Sequence, residues 1–206
     1  MNDILSVVMP AFNAQDYAEE AIKSVLLQTV KNWELIIVDN ASTDKSLEIF
    51  KKYEKIDSRI KVIKHKKNKG AAASRNTAIK NTNQNSKLVF MLDSDDRMLP
   101  DTLYEQKKFM DLNPEASVVG CLGEYLDAKG EVFGKTSSSF YTRSDFDKLL
   151  KNRKNIGMMH SGACFNKEIF NKLGGYDTSK RFLDDMDLWH RFADNGYIML
   201  VQKKVL

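Results

Sequence analysis

The chain has 206 residues, a formal net charge of +4, 42% hydrophobic residues and 29% charged residues. This length suffices for one domain with a substantial core, and this balance of residues excludes an intrinsically disordered protein. Residues 4–9 are apolar but lack the basic leader and cleavage site of a signal peptide, and no stretch reaches the length of a membrane span. The sequence therefore predicts a single soluble domain over residues 1–206.

The two cysteines indicate a reducing compartment. Cys121 follows the apolar residues 118–120, and Cys164 lies between Ala163 and Phe165, which is typical of buried free thiols. Because disulfides are rare in reducing compartments, we expect the protein to be cytoplasmic.

The basic residues are concentrated in one short segment, which contains Lys61, Lys64, His65, Lys66, Lys67 and Lys69. Such a run is typically a solvated face. The alternatives are attraction to anionic lipid headgroups, which would place the protein peripherally at the inner face of the membrane, and steering of a phosphate-bearing ligand. No base-stacking motif accompanies the lysines, so we expect no nucleic acid partner.

Strand and helix patterns alternate through the first half of the chain. The patterns favour strands at 5–9, 34–38, 60–63 and 88–92, and helices at 17–28, from Ser42-Thr43-Asp44 to about Tyr53, and at 71–80. Nearly continuous apolar strands in this alternation predict an α/β fold, with a mostly parallel central sheet flanked by helices. In such open sheets ligands bind at the carboxyl ends of the strands.

The pattern changes after Pro100. We expect a helix at 100–112, a small antiparallel strand pair within 118–133 that turns at 127–130, a short helix at 144–150, a helix at 185–194 and a last strand from Tyr197. The sequence thus divides at residue 99 into two halves of one domain.

Polar residues follow the first two strands. Pro10, Ala11, Phe12 and Asn13 come after the first, and Asp39-Asn40 after the second. Taken alone, Asn13 is equally well a turn residue, and the following segment 42–44 a helix cap.

The fourth strand is followed by Asp93, Ser94, Asp95 and Asp96. Three carboxylates within four residues repel one another unless a cation or solvent relieves them. Oxygen ligands at alternate positions suit Mg²⁺ or Mn²⁺, which take further ligands from water and phosphates. We predict a metal-bearing role, with a solvated acidic turn as the alternative.

Three further groups of residues are candidates for ligand binding or catalysis. Asn68, Gly70 and Arg75 stand at the start of a helix and either contact a ligand or form an ordinary helix N-terminus with a surface arginine. Asp184 and Asp185 open the helix near the end of the chain, where three acids also suit the helix dipole. His160 and Trp189 are predicted core residues, with a place beside the acceptor as the alternative for His160 and a sugar platform for Trp189; the Gly-Gly-Tyr-Asp segment 174–177 completes the set.

In chain order these segments resemble glycosyltransferase family 2, a large group of inverting enzymes with the Rossmann-like GT-A fold. The resemblance extends from Ser6 to about Val201 and rests on residues 6–13, 28–29, 33–44, 68–70, 73–76, 92–96, 174–177 and 184–189. One such motif would be weak evidence, whereas several in order are specific.

The resemblance implies roles for individual residues. Pro10, Phe12 and Asn40, with Asp39 beside them, would hold the nucleoside. The other donor-binding candidates are Ala11, Asn13, Asn68, Gly70, Arg75 and Ser94. Asp95 and Asp93 would hold Mn²⁺ or Mg²⁺, with Asp95 as a direct ligand and Asp93 touching the ribose or metal-linked groups. Asp185 would be the catalytic base, and Asp184, His160 and Trp189 would lie on the acceptor side.

Two positions depart from the usual family pattern. Asn40 stands where many members have a second aspartate, which puts base selectivity in doubt, and Asp184 stands where the acidic pair often begins with glutamate. Members usually continue beyond the last strand, so we expect the chain to be truncated after Leu206.

The activity that the resemblance implies is inverting transfer of a hexosyl or N-acetylhexosaminyl group from a nucleotide sugar. We expect a UDP-sugar as the donor and a saccharide or lipid-linked acceptor, as in cell-surface polysaccharide synthesis. Residues 1–99 would bind the donor, and residues 100–206 would form the acceptor-side half.

Two other functions remain as alternatives. A nucleotidyltransferase is disfavoured, because a glycine-rich phosphate loop with a basic residue is missing after the first strand. A nucleotide-sugar-binding protein without activity is disfavoured by the intact Asp93, Asp95 and Asp185. The sequence does not indicate an oligomeric state.

Overall fold

The computed structural model describes residues 3–152, 156–180 and 182–206. Its strands are β1 (Leu5–Ala11), β2 (Trp33–Asp39), β3 (Ile60–Lys64), β4 (Leu88–Met91), β5 (Ala116–Leu122), β6 (Glu124–Leu126), β7 (Val132–Lys135), β8 (Cys164–Asn166) and β9 (Ile198–Val205). Its helices are α1 (Ala18–Leu26), α2 (Ser46–Ile56), α3 (Ala71–Lys80), α4 (Thr102–Leu112), α5 (Arg143–Lys151), α6 (Lys167–Lys172) and α7 (Asp184–Asp194).

Within the described residues, the central sheet has the strand order β3-β2-β1-β4-β8-β5-β9. The pairs β1–β2, β1–β4, β2–β3 and β5–β9 are parallel, whereas β8 is antiparallel to both β4 and β5. Every residue of β1 is buried, as expected for a strand covered by helices on both faces. The predicted α/β fold with a mostly parallel sheet is confirmed.

The direction of β8 determines which segments meet at the edge of the sheet where β1, β2 and β4 end. The chain enters β8 at the edge where β4 leaves, and the two are joined by backbone hydrogen bonds. The N–H of Gly162 donates to the carbonyl of Met91 at 2.8 Å, and the N–H of Met91 donates to that of Ala163 at 2.8 Å. Residues 160–163 therefore lie beside the loop that follows β4.

The small antiparallel element is present, but its predicted extent is wrong. It consists of β6 and β7, whereas β5 belongs to the central sheet. Val118 and Val119 in β5 are completely buried, which requires cover on both faces of that strand. Helix α6 was not predicted because its six residues are too few to show a helical period.

The cysteines and most residues of the basic run have the burial or exposure that we predicted from the sequence. Cys121 and Cys164 are buried free thiols, as predicted. The lysines of the basic run are exposed, but His65 is buried at 5% exposure. No helix among the described residues is long and apolar enough to cross a bilayer.

Candidate active site

A cavity of ≈ 340 Å³ opens at the carboxyl ends of β1, β2 and β4. It is lined by Pro10, Ala11, Phe12, Asn40, Asn68, Gly70, Ala71, Ser74, Arg75, Asp93, Ser94 and Asp95. The structure thus brings together the predicted donor-binding residues, apart from Asn13 and Asp39. Ala71 and Ser74 were not predicted; they belong to the first turn of α3, whose N-terminus faces the cavity.

Asn13 and Asp39 shape the loops around the cavity instead of lining it. The side chain of Asn13 accepts the N–H of Thr43 at 2.9 Å, and its own N–H donates to Oγ of Ser42 at 3.0 Å. Its φ of 51° is the left-handed conformation that asparagine tolerates in turns. Asp39 is completely buried and accepts the N–H of Ser42 at 3.3 Å.

Arg75 links the loop after β4 to the start of α7. Its Nη2 lies 3.0 Å from Oδ1 of Asp93 and its Nη1 lies 2.8 Å from Oδ2 of Asp184. The Arg75 side chain is only 11% exposed, so these ion pairs are poorly screened by solvent. Two segments that are distant in sequence are therefore held together by one guanidinium.

The charges in this cluster influence one another strongly. Burial disfavours the charge of Arg75, but Asp93, Tyr176 and Asp184 raise its pKa above the usual value. Burial alone would raise the pKa of Asp93, whereas the nearby His160 and the ion pair with Arg75 hold it well below its usual range. Nδ1 of His160 lies 3.9 Å from Oδ2 of Asp93, which is beyond hydrogen-bond length. The ion pair between Arg75 and Asp93 is therefore the stronger of the two contacts.

Residues 160–163, which precede β8, contact the loop that follows β4. This loop, residues 93–96, is called the acidic loop. Oγ of Ser161 accepts the N–H of Asp93 at 3.1 Å, and Nε2 of His160 lies 2.8 Å from the hydroxyl of Tyr176. Ser161 was not predicted, because its role depends on the antiparallel insertion of β8 beside β4. Tyr176 belongs to the Gly-Gly-Tyr-Asp motif, but its contact with His160 was not predicted.

The acidic loop itself carries a concentration of negative charge. Loss of water around its carboxyl group, followed by repulsion from Asp93 and Asp95, raises the pKa of Asp96. Asp95 is exposed. Among the described residues, no group of three or more His, Cys, Asp or Glu side chains is arranged to hold a metal ion. A cation here would need ligands from water or phosphate.

Helix α7 begins next to this cluster. Leu183 precedes it with φ = 60°, and Asp184, Asp185 and Asp187 follow in its first turn. Burial is the main cause of the raised pKa of Tyr176, and the charges of Asp184, Asp93 and Asp185 add to it. Asp185 is therefore within electrostatic range of the same buried side chain as the other two carboxylates.

The two aromatic candidates lie beneath the surface. Trp189 is 0% exposed and its ring centroid lies 5.8 Å from that of His160. His160 is itself buried at 8% exposure. The structure thus places Trp189 in the core, and direct contact between its side chain and an acceptor does not fit this position.

A second cavity of ≈ 710 Å³ adjoins the first at Asp95, which lines both. Its wall combines carboxylates from the acidic loop with apolar side chains from the β6–β7 hairpin and the end of α1. Ser161 also lines it. The acidic loop therefore separates two spaces, each large enough for part of a substrate.

Comparison with known proteins identifies the family. The sequence profile of glycosyl transferase family 2 matches residues 6–174, which is most of the chain. The chain belongs to this family. The putative teichuronic acid biosynthesis glycosyltransferase TuaG of Bacillus subtilis is 45% identical over 107 residues, which cover 52% of this chain and 42% of TuaG.

Solved structures show the same fold. TarS of S. aureus, in complex with UDP, has a TM-score of 0.80 at 22% identity, covering 98% of this chain and 58% of that chain. The mannosyltransferase PcManGT of Pyrobaculum calidifontis, in complex with GDP-Man and Mn²⁺, has a TM-score of 0.74 at 22% identity, covering 98% and 55%. The GT-A fold is confirmed, and the chain spans under two thirds of the length of each of these proteins.

Proposed function

We propose that the protein is an inverting, metal-dependent glycosyltransferase that transfers a hexosyl or N-acetylhexosaminyl group. The donor is a nucleoside diphosphate sugar, with UDP as the preferred nucleotide, and the acceptor is a saccharide or lipid-linked saccharide of the cell surface. The observation that carries the proposal is the cavity at the strand ends, whose rim holds Asp93 and Asp95 and is tied through Arg75 to the start of α7. The UDP complex of TarS and the role named for TuaG support the choice of donor and pathway class.

The cavity has the chemistry of a nucleoside site. Phe12 is 48% exposed and offers an aromatic face for a base, while Asn40 and Asn68 offer amide groups for hydrogen bonds. The backbone at Gly70 has a φ of 87° and opens α3, so helix N–H groups face the same space. These features suit a ligand with an aromatic ring at one end and phosphates at the other.

The acidic rim fits a divalent cation. Arg75 pairs with Asp93 and Asp184, and no ion pair among the described residues involves Asp95 or Asp96. Asp95 would hold Mn²⁺ or Mg²⁺, with the diphosphate and water as the other ligands, while Asp93 contacts the ribose or groups bound to the metal. When bound, the cation supplies neutralisation of the leaving diphosphate.

Asp185 is the proposed general base. It accepts the proton of an acceptor hydroxyl while the hydroxyl oxygen forms a bond to the anomeric carbon and the bond from that carbon to the diphosphate oxygen breaks. Attack on the face opposite the leaving group inverts the anomeric centre in one displacement. Asp184, fixed by Arg75 at 2.8 Å, orients the first turn of α7 that carries Asp185.

The substitution Asp185→Asn tests this assignment. We expect it to lower the rate of sugar transfer by about 100-fold or more, because the amide cannot accept the proton, while UDP binding with Mn²⁺ stays within about twofold. The measurements are release of UDP from a panel of UDP-sugars and calorimetric titration with UDP. Asp194→Asn, at the other end of the same helix, is the matched control.

These measurements test both the assignment of the base and the presence of transferase activity. Normal turnover by Asp185→Asn would show that another group is the base. A wild-type protein that binds UDP and Mn²⁺ but transfers no sugar to any acceptor tested would point to a binding protein without activity.

A further inference from the structure

His65 is a buried histidine that the proposed mechanism does not use. It lies directly after β3, and its side chain joins two elements that border the cavity. Nδ1 of His65 lies 3.0 Å from Oδ1 of Asn40, and Nε2 lies 3.1 Å from Oγ1 of Thr77 in α3. His65 thus contacts a residue that lines the cavity without lining the cavity itself.

The orientation of the Asn40 amide follows from its other partners. The backbone N–H of Lys69 donates to Oδ1 of Asn40 at 2.9 Å, and because a backbone N–H is always a donor, the oxygen must face it. Nδ2 of Asn40 donates to Oδ1 of Asn68 at 2.9 Å, and that oxygen also accepts the N–H of Gly70 at 2.9 Å.

The position of the proton on the His65 ring follows from the orientation of the Asn40 amide. Since Oδ1 of Asn40 faces Nδ1, the ring carries a proton on Nδ1 and donates it. Burial, and then the charge of Lys69, lowers the pKa of His65, although Asp39 opposes this. The lowered pKa favours the neutral ring, in which Nε2 and the carbonyl of Ala73, 2.8 Å from Oγ1 of Thr77, compete for the single hydroxyl proton of Thr77.

We propose that His65 is a positioning residue that fixes Asn40 with an N–H, not an oxygen, turned toward the nucleoside. His65 and Lys69 together occupy both acceptor positions of the Asn40 oxygen. One of the two N–H groups of Asn40 donates to Asn68, and because Asn40 lines the cavity, we infer that the other faces it. The site thereby selects a base that offers an acceptor atom, such as a ring carbonyl, at this point.

This inference rests on the proposed nucleotide-sugar donor but adds a requirement of its own. It demands a donor at the position of the His65 Nδ1 atom, not merely a side chain that fills the space. Asparagine places its amide nitrogen near Nδ1 of a histidine, whereas glutamine places it near Nε2. The two substitutions therefore form a matched pair.

The experiment measures the affinity of wild type, His65→Asn and His65→Gln for UDP, GDP, CDP, ADP and dTDP in Mn²⁺ by calorimetry. For the diphosphate that wild type binds best, we expect His65→Asn to stay within about twofold and His65→Gln to bind about five- to tenfold more weakly, the effect of one hydrogen bond. Affinity for inorganic pyrophosphate should be the same in all three proteins. In turnover assays, His65→Gln should raise KM for the donor more than it lowers kcat.

Three results would overturn the inference. If both variants bind the nucleotide like wild type, or both lose the same affinity, the ring has no directional role. If pyrophosphate affinity falls together with nucleotide affinity, His65 supports the fold and not the base. If wild type binds none of the diphosphates, the proposed function fails first, and the positioning role fails with it.

Discussion

Arg75 balances much of the negative charge in the site. Its guanidinium contacts Asp93 and Asp184 and offsets the charge of these two partly buried carboxylates. Breaking a buried pair leaves an unpaired charge in a poorly solvated place, which is costly for folding. The same contacts that shape the first cavity therefore contribute to stability.

The depressed pKa of Asp93 predicts a pH dependence of stability. A carboxyl group whose pKa is lower in the folded state stabilises the protein above the pKa of the unfolded chain, about 4, and this contribution is lost as the pH falls toward the folded value. We expect the free energy of unfolding of wild type to fall more steeply between about pH 5 and pH 2 than that of Asp93→Asn. Urea denaturation across this range measures the difference.

Asp194→Asn serves as the control, since Asp194 is exposed at the end of α7. Its pH profile should parallel that of wild type. Equal slopes for wild type and Asp93→Asn would show that Asp93 is not stabilised in its charged form.

At the level of single residues, the side chains that directly follow a strand were predictable, whereas those that approach from elsewhere were not. Asp93 and Asp95, which line the first cavity, could be singled out because several carboxylates directly after a buried apolar strand are typical of a ligand site. Ser161 and His65 contact the site through the antiparallel β8 and through the amide of Asn40. Neither contact leaves a pattern in the sequence, because both depend on strand pairing and side-chain packing.

At the level of elements, the connection into β8 is tightly constrained. Gly162 has φ = +80°, and a Cβ at this residue would lie 2.8 Å from Sγ of the buried Cys121. The glycine is adjacent to Ser161, which supports the N–H of Asp93. Backbone conformation and close packing both disfavour a larger side chain here.

The substitution Gly162→Ala is therefore expected to be more harmful than Gly196→Ala. Gly196 has φ = +78° with no atom within 4 Å of an added Cβ, so alanine there adds only backbone strain of about 1 kcal/mol. Gly162→Ala adds the clash with Cys121 and should lower the free energy of unfolding by about 3 kcal/mol, with weaker donor binding. Urea denaturation of both variants tests this, and equal losses would contradict the packing argument.

Elements were predictable where the pattern was long or fully apolar. Helix α3 has the predicted bounds, and β1 to β4 lie where the apolar runs placed them. The assignment of β5 failed because its apolar run and the turn at 127–130 suggested a hairpin, while the true partners of β5 are β8 and β9. Pairing between distant strands is set by tertiary packing, which the local pattern does not contain.

At the level of the whole molecule, the fold brings four distant segments to one edge of the sheet. The loops after β1, β2 and β4 and the segment 68–75 at the start of α3 line the first cavity, and Asp95 also lines the second.

We propose that Asp95 and a divalent cation hold the diphosphate of the donor. Calorimetric titration of wild type and Asp95→Ala with UDP, with and without Mn²⁺, tests it most directly, and Asp194→Ala is the control. We predict that Mn²⁺ strengthens UDP binding to wild type and to the control by about tenfold or more, and that this gain disappears in Asp95→Ala. A gain from Mn²⁺ that persists undiminished in Asp95→Ala would contradict the account.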